Sequence, residues 1–217
     1  MLICIALILQ MQFSAPAQTS ISESLRKVEN RYNNIRTLQL DFEQTISFTA
    51  QPSAKRTESG VLFLRKPGRM RWEYRKPAEK LFLSDGKDVY YYSAAAHRVE
   101  KSKIKETDDM RAPLAFLIGR LDFQRDFREF RYRTENGEYH VVAAPKSDKA
   151  PYTEVEFIVT TDFTIRELAV KGHDRSLMRF RFSLERANVK FPPTQFTFQA
   201  PAGIPIVDVQ DDGSEAK

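Results

Sequence analysis

Three neighbouring segments of the sequence are apolar on both faces of an extended strand, and this pattern restricts the fold most. They are residues 61–64, 81–83 and 89–92. A strand with one solvated face alternates apolar and polar residues, so these strands need a cover on each face. Helices can supply one cover. If the sheet curls into an incomplete barrel, the concave side can instead hold an apolar ligand; a packed sandwich core is the alternative.

Short strands at hairpin spacing occupy most of the chain. Residues 38–48 alternate with a period of two, and further strands are predicted at 60–65, 70–74, 81–83, 89–92, 98–104, 126–134, 138–144, 152–160, 164–171, 177–188 and 195–199. Asp85-Gly86 and Asn136-Gly137 have the composition of tight hairpin turns. We predict one mainly β (α+β) domain, an incomplete antiparallel β-barrel of about ten or eleven strands with helices covering a hydrophobic cavity.

Two helices are predicted among these strands. Apolar residues repeat at spacings of three and four between residues 21 and 35, after a capping box formed by Ser20 and Glu23. Residues 111–119 place Pro113 near the start and Gly119 at the end of a second, nearly all-apolar helix. This second helix is either buried in the core or covers an apolar cavity.

The N-terminal residues have the pattern of an export signal. Residues 2–9 are uncharged and apolar, and Ala15-Pro16-Ala17 forms a small-x-small cleavage site. We predict a signal peptide over residues 1–17 and a functional domain over residues 18–217; a buried N-terminal strand is the alternative. Cys4 is the single cysteine, so the cleaved chain has no thiol for a disulfide, for catalysis or for a zinc site.

Charge and motifs argue against several classes of function. Lysine and arginine number 34 against 29 acidic residues, a net charge of +5. Basic residues crowd residues 65–80 and 120–133, which indicates a solvated sheet face or a patch for anionic lipid or an acidic partner, and we expect no nucleic acid. His97, His140 and His173 are isolated from one another, and no GxGxxG, Walker or GxSxG motif is present. We therefore expect no metal, no cofactor and no enzymatic activity.

One long run of residues resembles a known family. The sequence from Gly60 to Tyr74, GVLFLRKPGRMRWEY, then Pro77 and LSDGK at residues 83–87, resembles the core signature of the LolA family of periplasmic outer-membrane lipoprotein carriers. Residues 42–44, 113–118 and 196–204 resemble three further family segments in the same order. The resemblance spans about residues 21–209.

The resemblance implies a cavity that receives lipoprotein acyl chains beneath a lid helix at residues 113–118. It implies a periplasmic, monomeric carrier that takes its cargo from an inner-membrane LolCDE-type ABC transporter and passes it to a LolB-like acceptor at the outer membrane. Met70 and Trp72 correspond by position to cavity sites. The wall and cover of the cavity are expected to comprise Phe42, Phe63, Met70, Trp72, Tyr91 and Phe116.

The lid latch departs from the family pattern. Lys66 lies where the family usually has an arginine that hydrogen-bonds the lid backbone. Lysine lacks the planar fork of arginine, so either Lys66 forms a looser latch or Arg65 replaces it.

Two other functions fit the same sequence. A lipid or glycolipid shuttle would use the same cavity. Related LolA-like domains also sense mislocalised lipoproteins in an anti-sigma-factor partner. Those sensors carry a second domain, whereas this sequence ends soon after its closing segment, so its length favours the stand-alone carrier.

Overall fold

The computed structural model describes residues 21–48, 51–103 and 120–209, with the backbone alone at residues 51–53. The predicted signal peptide and the predicted helix at residues 111–119, including Phe116, lie outside the described residues. The strands of the described part are β1 Thr37–Phe48, β2 Gln51–Arg65, β3 Arg69–Lys76, β4 Lys80–Asp85, β5 Asp88–Ser93, β6 Arg98–Lys103, β7 Phe127–Glu135, β8 Glu138–Pro145, β9 Tyr152–Val159, β10 Ile165–Gly172, β11 Ser176–Ala187 and β12 Ile206–Asp208.

These twelve strands form one open sheet in the order β12-β6-β5-β4-β3-β2-β1-β11-β10-β9-β8-β7. The β12–β6 pair is parallel and the other pairs in this part of the chain are antiparallel. The sheet does not close, because β12 and β7 are edge strands. The predicted mainly β fold with an unclosed sheet and few helices is confirmed, and the described part has twelve strands where ten or eleven were predicted.

Two α-helices and a 3-10 helix accompany the sheet within the described ranges. Helix α1, Ile21–Asn34, buries Ser24, Leu25, Val28 and Tyr32, as the three-and-four periodicity predicts. Helix α2, Phe123–Asp126, is a single turn capped by the side chain of Asp122. A 3-10 helix spans Pro193–Phe196.

The structure corrects two strand predictions. Strand β2 begins at Gln51, not at residue 60, because its polar first half also pairs with β1, at the C-terminal end of that strand. Residues 54–57 of this paired ribbon are exposed. The strand predicted at residues 195–199 is wrong. The 3-10 helix occupies its start, since Pro192 and Pro193 carry no N–H for a sheet, and the last described strand is β12.

The two faces of the sheet follow from strand register. Opposite residues in an antiparallel pair share a face. The inner face, defined by the even-numbered residues of β1, has Leu38 opposite Leu64, and Leu64 opposite Met70. Residues Leu25, Val28 and Tyr32 of α1 belong to the same buried cluster as these side chains. Helix α1 therefore covers the inner face.

The outer face of β2 to β6 is covered by the irregular segment at residues 189–209. The ring of Phe63 packs edge-on against Phe191 at 5.7 Å, and Tyr90 stacks on Phe198 at 4.5 Å between ring centroids. The amide of Val99 donates to the carbonyl of Pro205 at 2.9 Å, where the segment joins the sheet edge. The apolar outer-face residues of β2 and β5 thus lie beneath residues of this segment.

Gly60 is required where β2 passes between β1 and β3. It lies opposite Phe42 and Tyr74 at a register shift, and a Cβ at Gly60 would lie 1.8 Å from the carbonyl oxygen of Glu73. The absent side chain also lets the rings of Phe42 and Tyr74 meet across β2 at 5.0 Å. Only glycine fits this position.

We expect Gly60→Ala to lower the free energy of unfolding by about 1–3 kcal/mol, because the added methyl group must displace backbone. Urea denaturation followed by circular dichroism measures the change. Ser59→Ala, one residue away and half-buried, is the control and should change stability by less than about 0.5 kcal/mol. Equal midpoints for Gly60→Ala and the unmodified protein would contradict the steric account.

Candidate functional site

An aromatic cluster lies at the centre of the inner face. The ring of Phe42 on β1 meets Trp72 on β3 edge-on at 5.2 Å, and Trp72 lies 5.4 Å from Phe180 on β11. Tyr74 stacks on Trp72 at 5.8 Å. Edge-on and offset pairs of this kind are stabilising beyond the area they bury. The cluster joins three strands into one rigid apolar surface.

The structure brings together four of the six predicted cavity residues. Phe42, Met70 and Trp72 are buried on the inner face. Tyr91 lies opposite Phe82, which lies opposite Trp72, so it shares that face, and 37% of it is exposed. Their binding of acyl chains stays a prediction.

Phe63 does not join this group. It lies between Leu62 and Leu64 in β2, so the period of two directs its side chain to the outer face, where it contacts Phe191. Its grouping with Phe42 and Trp72 in a single cavity wall is therefore wrong. Phe116 lies outside the described residues.

Sequence reasoning missed several side chains of the inner face. Tyr74 continues the alternation of Met70 and Trp72, a signal that was available in the sequence. Phe180 lies opposite Gln44 across the β1–β11 pair, and only that strand pairing places it next to Trp72.

The inner face changes from apolar to polar along the strands. Successive rows across the sheet are Leu38, Leu64, Met70 and Ser84, whose hydroxyl donates to the carbonyl of Gly68; then Leu40, Leu62, Trp72 and Phe82; then Phe42, Tyr74 and Lys80; and then Gln44 and Glu58. The Tyr74 hydroxyl donates to Oε1 of Gln44 at 2.7 Å, and Lys80 Nζ lies 4.4 Å from the Tyr74 ring centroid. We call the polar residues of the last two rows, Gln44, Glu58, Tyr74 and Lys80, the polar end.

A buried ion pair stabilises the polar end. Glu58 is 4% exposed, and Nζ of Lys80 donates to its Oε2 at 2.6 Å while Arg56 donates to its Oε1. Burial alone would raise the pKa of Glu58, but hydrogen bonds from Lys80 and Arg56 outweigh it, and the pKa lies below its ordinary value. The carboxylate is therefore ionised at neutral pH and compensated within the sheet.

Tyr32 anchors α1 to the sheet. Its hydroxyl donates to Oε2 of Glu185 at 2.9 Å and accepts from the amide of Ile165 at 2.9 Å. Burial raises the pKa of Tyr32, so the hydroxyl stays protonated. The Tyr32 carbonyl, in the last turn of α1, accepts from Lys66 Nζ at 2.8 Å. Carbonyls at a helix C-terminus lack helical partners, and Lys66 supplies one.

Lys66 and Arg65 bind different segments that cover the sheet: Lys66 binds α1, and Arg65 binds the segment at residues 189–209. Lys66 binds α1 on the inner face, and desolvation there lowers the pKa of its ammonium. Arg65 donates to the carbonyl of Phe191 at 3.3 Å and lies over the Phe196 ring at 5.1 Å, on the outer face. Any bond from either residue to the lid at residues 111–119 lies outside the described residues.

Helix α1 also holds the chain that follows the predicted lid. Asn33 donates through Nδ2 to the carbonyl of Leu121 and accepts at Oδ1 from its amide, both at 2.8 Å. Oε1 of Glu29 accepts from the amide of Phe123 at 2.7 Å. Helix α1 thus fixes the position at which the chain after residue 119 returns to the core.

We expect Lys66→Met and Arg65→Met to loosen different segments. Loss of one net hydrogen bond, about 1 kcal/mol, corresponds to about fivefold faster local opening. Amide hydrogen exchange should quicken in the last turn of α1 for Lys66→Met and at residues 193–197 for Arg65→Met. Each variant is the control for the other. The same exchange pattern in both would contradict the division of roles.

A groove of about 430 Å³ lies on the outer face of β1, β2 and β11. Its lining is largely polar and charged, with Glu43, Thr45, Ser47, Phe48, Lys55, Leu177, Arg179 and Arg181. Arg179 and Arg181 both bind the carboxylate of Glu167, which is 3% exposed. The charged side chains of this groove distinguish it from the apolar rows of the inner face.

Neither a metal cluster nor a membrane-spanning helix occurs in the described part of the chain. No three His, Cys, Asp or Glu side chains among residues 21–48, 54–103 and 120–209 are grouped so as to hold a metal ion. No helix within these ranges has both the length and the hydropathy needed to cross a membrane.

The described part of the chain is thus an open, mainly antiparallel sheet that buries an aromatic surface beneath one long helix and ends in a polar cluster. The family model described as outer membrane lipoprotein carrier protein LolA matches residues 33–199, and the chain belongs to this family.

Relatives support this membership along most of the chain. An outer-membrane lipoprotein carrier protein from Nitrosospira multiformis is 26% identical over 191 residues, covering 87% of this chain and 90% of the relative. One from Chromobacterium violaceum is 28% identical over 195 residues, covering 89% and 90%. An uncharacterized conserved protein from Thermus thermophilus, 12% identical, superposes with a TM-score of 0.51 over 88% of this chain and all (100%) of that one, which supports the fold alone.

Proposed function

We propose that this protein is a periplasmic carrier that binds the acyl chains of lipoproteins and moves them from the inner to the outer membrane. The observation that carries the proposal is the buried aromatic surface of Phe42, Trp72 and Phe180 beneath α1, in a chain of the LolA family. Phe42, Met70, Trp72 and Tyr91 form the sheet side of the acyl site, and the segment containing Phe116 closes it. The protein acts as a monomer without a cofactor and is not an enzyme.

The remaining parts of the proposal follow from the family. Residues 1–17 are the export signal and residues 18–217 the carrier domain. An inner-membrane LolCDE-type ABC transporter delivers the cargo, and a LolB-like acceptor at the outer membrane receives it. A lipid or glycolipid shuttle would use the same surface. Binding of a diacyl phospholipid, which has no peptide, distinguishes this alternative from the lipoprotein carrier.

The free energy of burying acyl chains restricts how such a carrier works. Burying a methylene group is worth about 0.8 kcal/mol, so one long acyl chain taken from water would yield on the order of 10 kcal/mol. Three such chains would exceed the ceiling of about 20 kcal/mol for non-covalent affinity. The chains must therefore pass from one apolar site to another. The net free energy is small and depends on how far the covers must move.

Trp72 is the single tryptophan of the chain, so its fluorescence reports on the inner face alone. We expect a triacylated lipopeptide with brominated acyl chains to quench Trp72 emission, because bromine quenches only on close approach. The same lipopeptide without bromine should bind with little quenching, and the peptide without acyl chains should do neither. Fluorescence titration measures each case.

A relocated tryptophan provides the matched control. In a Trp72→Phe, Tyr90→Trp protein the reporter lies on the outer face of β5, beside Phe198, and the brominated lipopeptide should leave it unquenched. Quenching at residue 90 and not at residue 72 would move the acyl site to the outer face. Failure of the lipopeptide to bind at all, with a diacyl phospholipid binding instead, would favour the lipid shuttle.

A further inference from the structure

The indole N–H of Trp72 is a buried donor that meets no acceptor within the described ranges. Trp72 is 1% exposed, and its Nε1 has no hydrogen-bond partner among the described residues. An indole can only donate, so no rearrangement of its own protons satisfies it. Burying an unpaired donor opposes folding, and native proteins rarely retain one without a functional reason.

The surroundings of Trp72 explain why the donor is unpaired. Phe42, Tyr74 and Phe180 contact its ring with their own rings. The Tyr74 hydroxyl is turned to Gln44, to which it donates. A phenylalanine at position 72 would pack here without an unpaired donor.

Trp72 also lies where the inner face changes character. The row before it holds Leu38, Leu64 and Met70, with Ser84 at its end bonded to the Gly68 carbonyl, and the row after it leads to the polar end. Two residues along a strand span about 7 Å. An amphiphile aligned with this gradient has its hydrocarbon over Met70 and its headgroup toward Lys80, and the group that joins them passes Trp72.

In acyl lipids that joining group is a carbonyl. A lipoprotein carries its chains through ester and amide carbonyls, and a carbonyl oxygen accepts a hydrogen bond well, whereas a methylene group cannot. An acceptor at this depth would satisfy Nε1 without placing a charge in the apolar rows.

We propose that Nε1 of Trp72 donates to the carbonyl that joins an acyl chain to its headgroup, and so fixes the depth at which cargo lies on the inner face. This inference rests on the proposed carrier function and deepens it: the ligand is recognised as an acyl compound and not as a hydrocarbon alone. The unpaired donor belongs to the empty protein and is satisfied when cargo binds.

The single indole gives a direct test by nuclear magnetic resonance. In protein labelled with ¹⁵N at tryptophan, one indole signal is expected. The probes are two lipopeptides of equal chain length, one with ester-linked and amide-linked acyl chains and one with ether-linked and N-alkyl chains. The acyl lipopeptide should move the indole proton downfield, as hydrogen bonding does. The alkyl lipopeptide should bind without this downfield shift.

A variant supplies an independent measurement. The unmodified protein should bind the acyl lipopeptide about fivefold more tightly than the alkyl one, the worth of one net hydrogen bond. Trp72→Phe should reduce this ratio to about one while still binding the alkyl lipopeptide. Tyr90→Phe, which removes a hydroxyl from the outer face of β5, is the control and should keep the ratio. Calorimetric titration measures all three.

The outcomes separate this inference from the function on which it rests. Equal binding of both lipopeptides, with the same indole signal, would overturn the carbonyl contact and leave the carrier function intact. Binding of neither would overturn both. If Trp72→Phe fails to fold, the shift of the indole proton in the unmodified protein still tests the carbonyl contact.

Discussion

The rest of the structure depends on how α1 is fixed over an open sheet. A sheet with free edges at β7 and β12 has no closing strand pair to hold its curvature. Tyr32 joins its two halves: the carbonyl accepts from Lys66, at the end of β2, and the hydroxyl bonds to Glu185 and Ile165 on β11 and β10. The apolar residues of α1 then fill the space between the halves. Because one helix makes all these bonds, movement of α1 would change the inner face as a whole.

The second cover explains why only part of the sheet is apolar on both sides. Residues 189–209 lie on the outer face of β2 to β6, where Phe63 and Tyr90 meet Phe191 and Phe198. Across β9 to β11 the outer face instead carries ion pairs, such as Arg179 and Arg181 on Glu167. The strands that are apolar on both faces are therefore those whose outer face lies beneath residues 189–209. The proposed acyl site therefore lies on the inner face, where the cover is a helix.

Local sequence patterns predicted the positions of helices and strands well, but they predicted poorly which residues these elements contact. Periodicity located α1 and most strands, because apolar spacing directly reflects which face is buried. It failed at residues 195–199, where Phe196 and Phe198 alternate as in a strand but two prolines precede them. The aromatic character of Phe63 favours a cavity wall, but its position between Leu62 and Leu64 puts its side chain on the opposite face. The Tyr32 bonds could not be predicted, since Glu185 is 153 residues away in sequence. The lid at residues 111–119 stays a prediction.

The closed inner face sets the energetics of loading. Phe42 and Trp72 are 3% and 1% exposed, so under the proposed function cargo must displace a cover before it reaches them. The cost of moving that cover subtracts from the free energy gained by burying acyl chains, which keeps the net affinity low enough for release. The Trp72 donor, which has no partner among the described residues, would act in the same balance, because under the proposed carbonyl contact it destabilises the empty protein and not the loaded one. The ion pair of Glu58 and Lys80 keeps the polar end in place meanwhile, since a charge compensated within the sheet does not need the cover. In the proposed carrier, loading is then a competition between the helix and the acyl chains for one surface, and packing decides it.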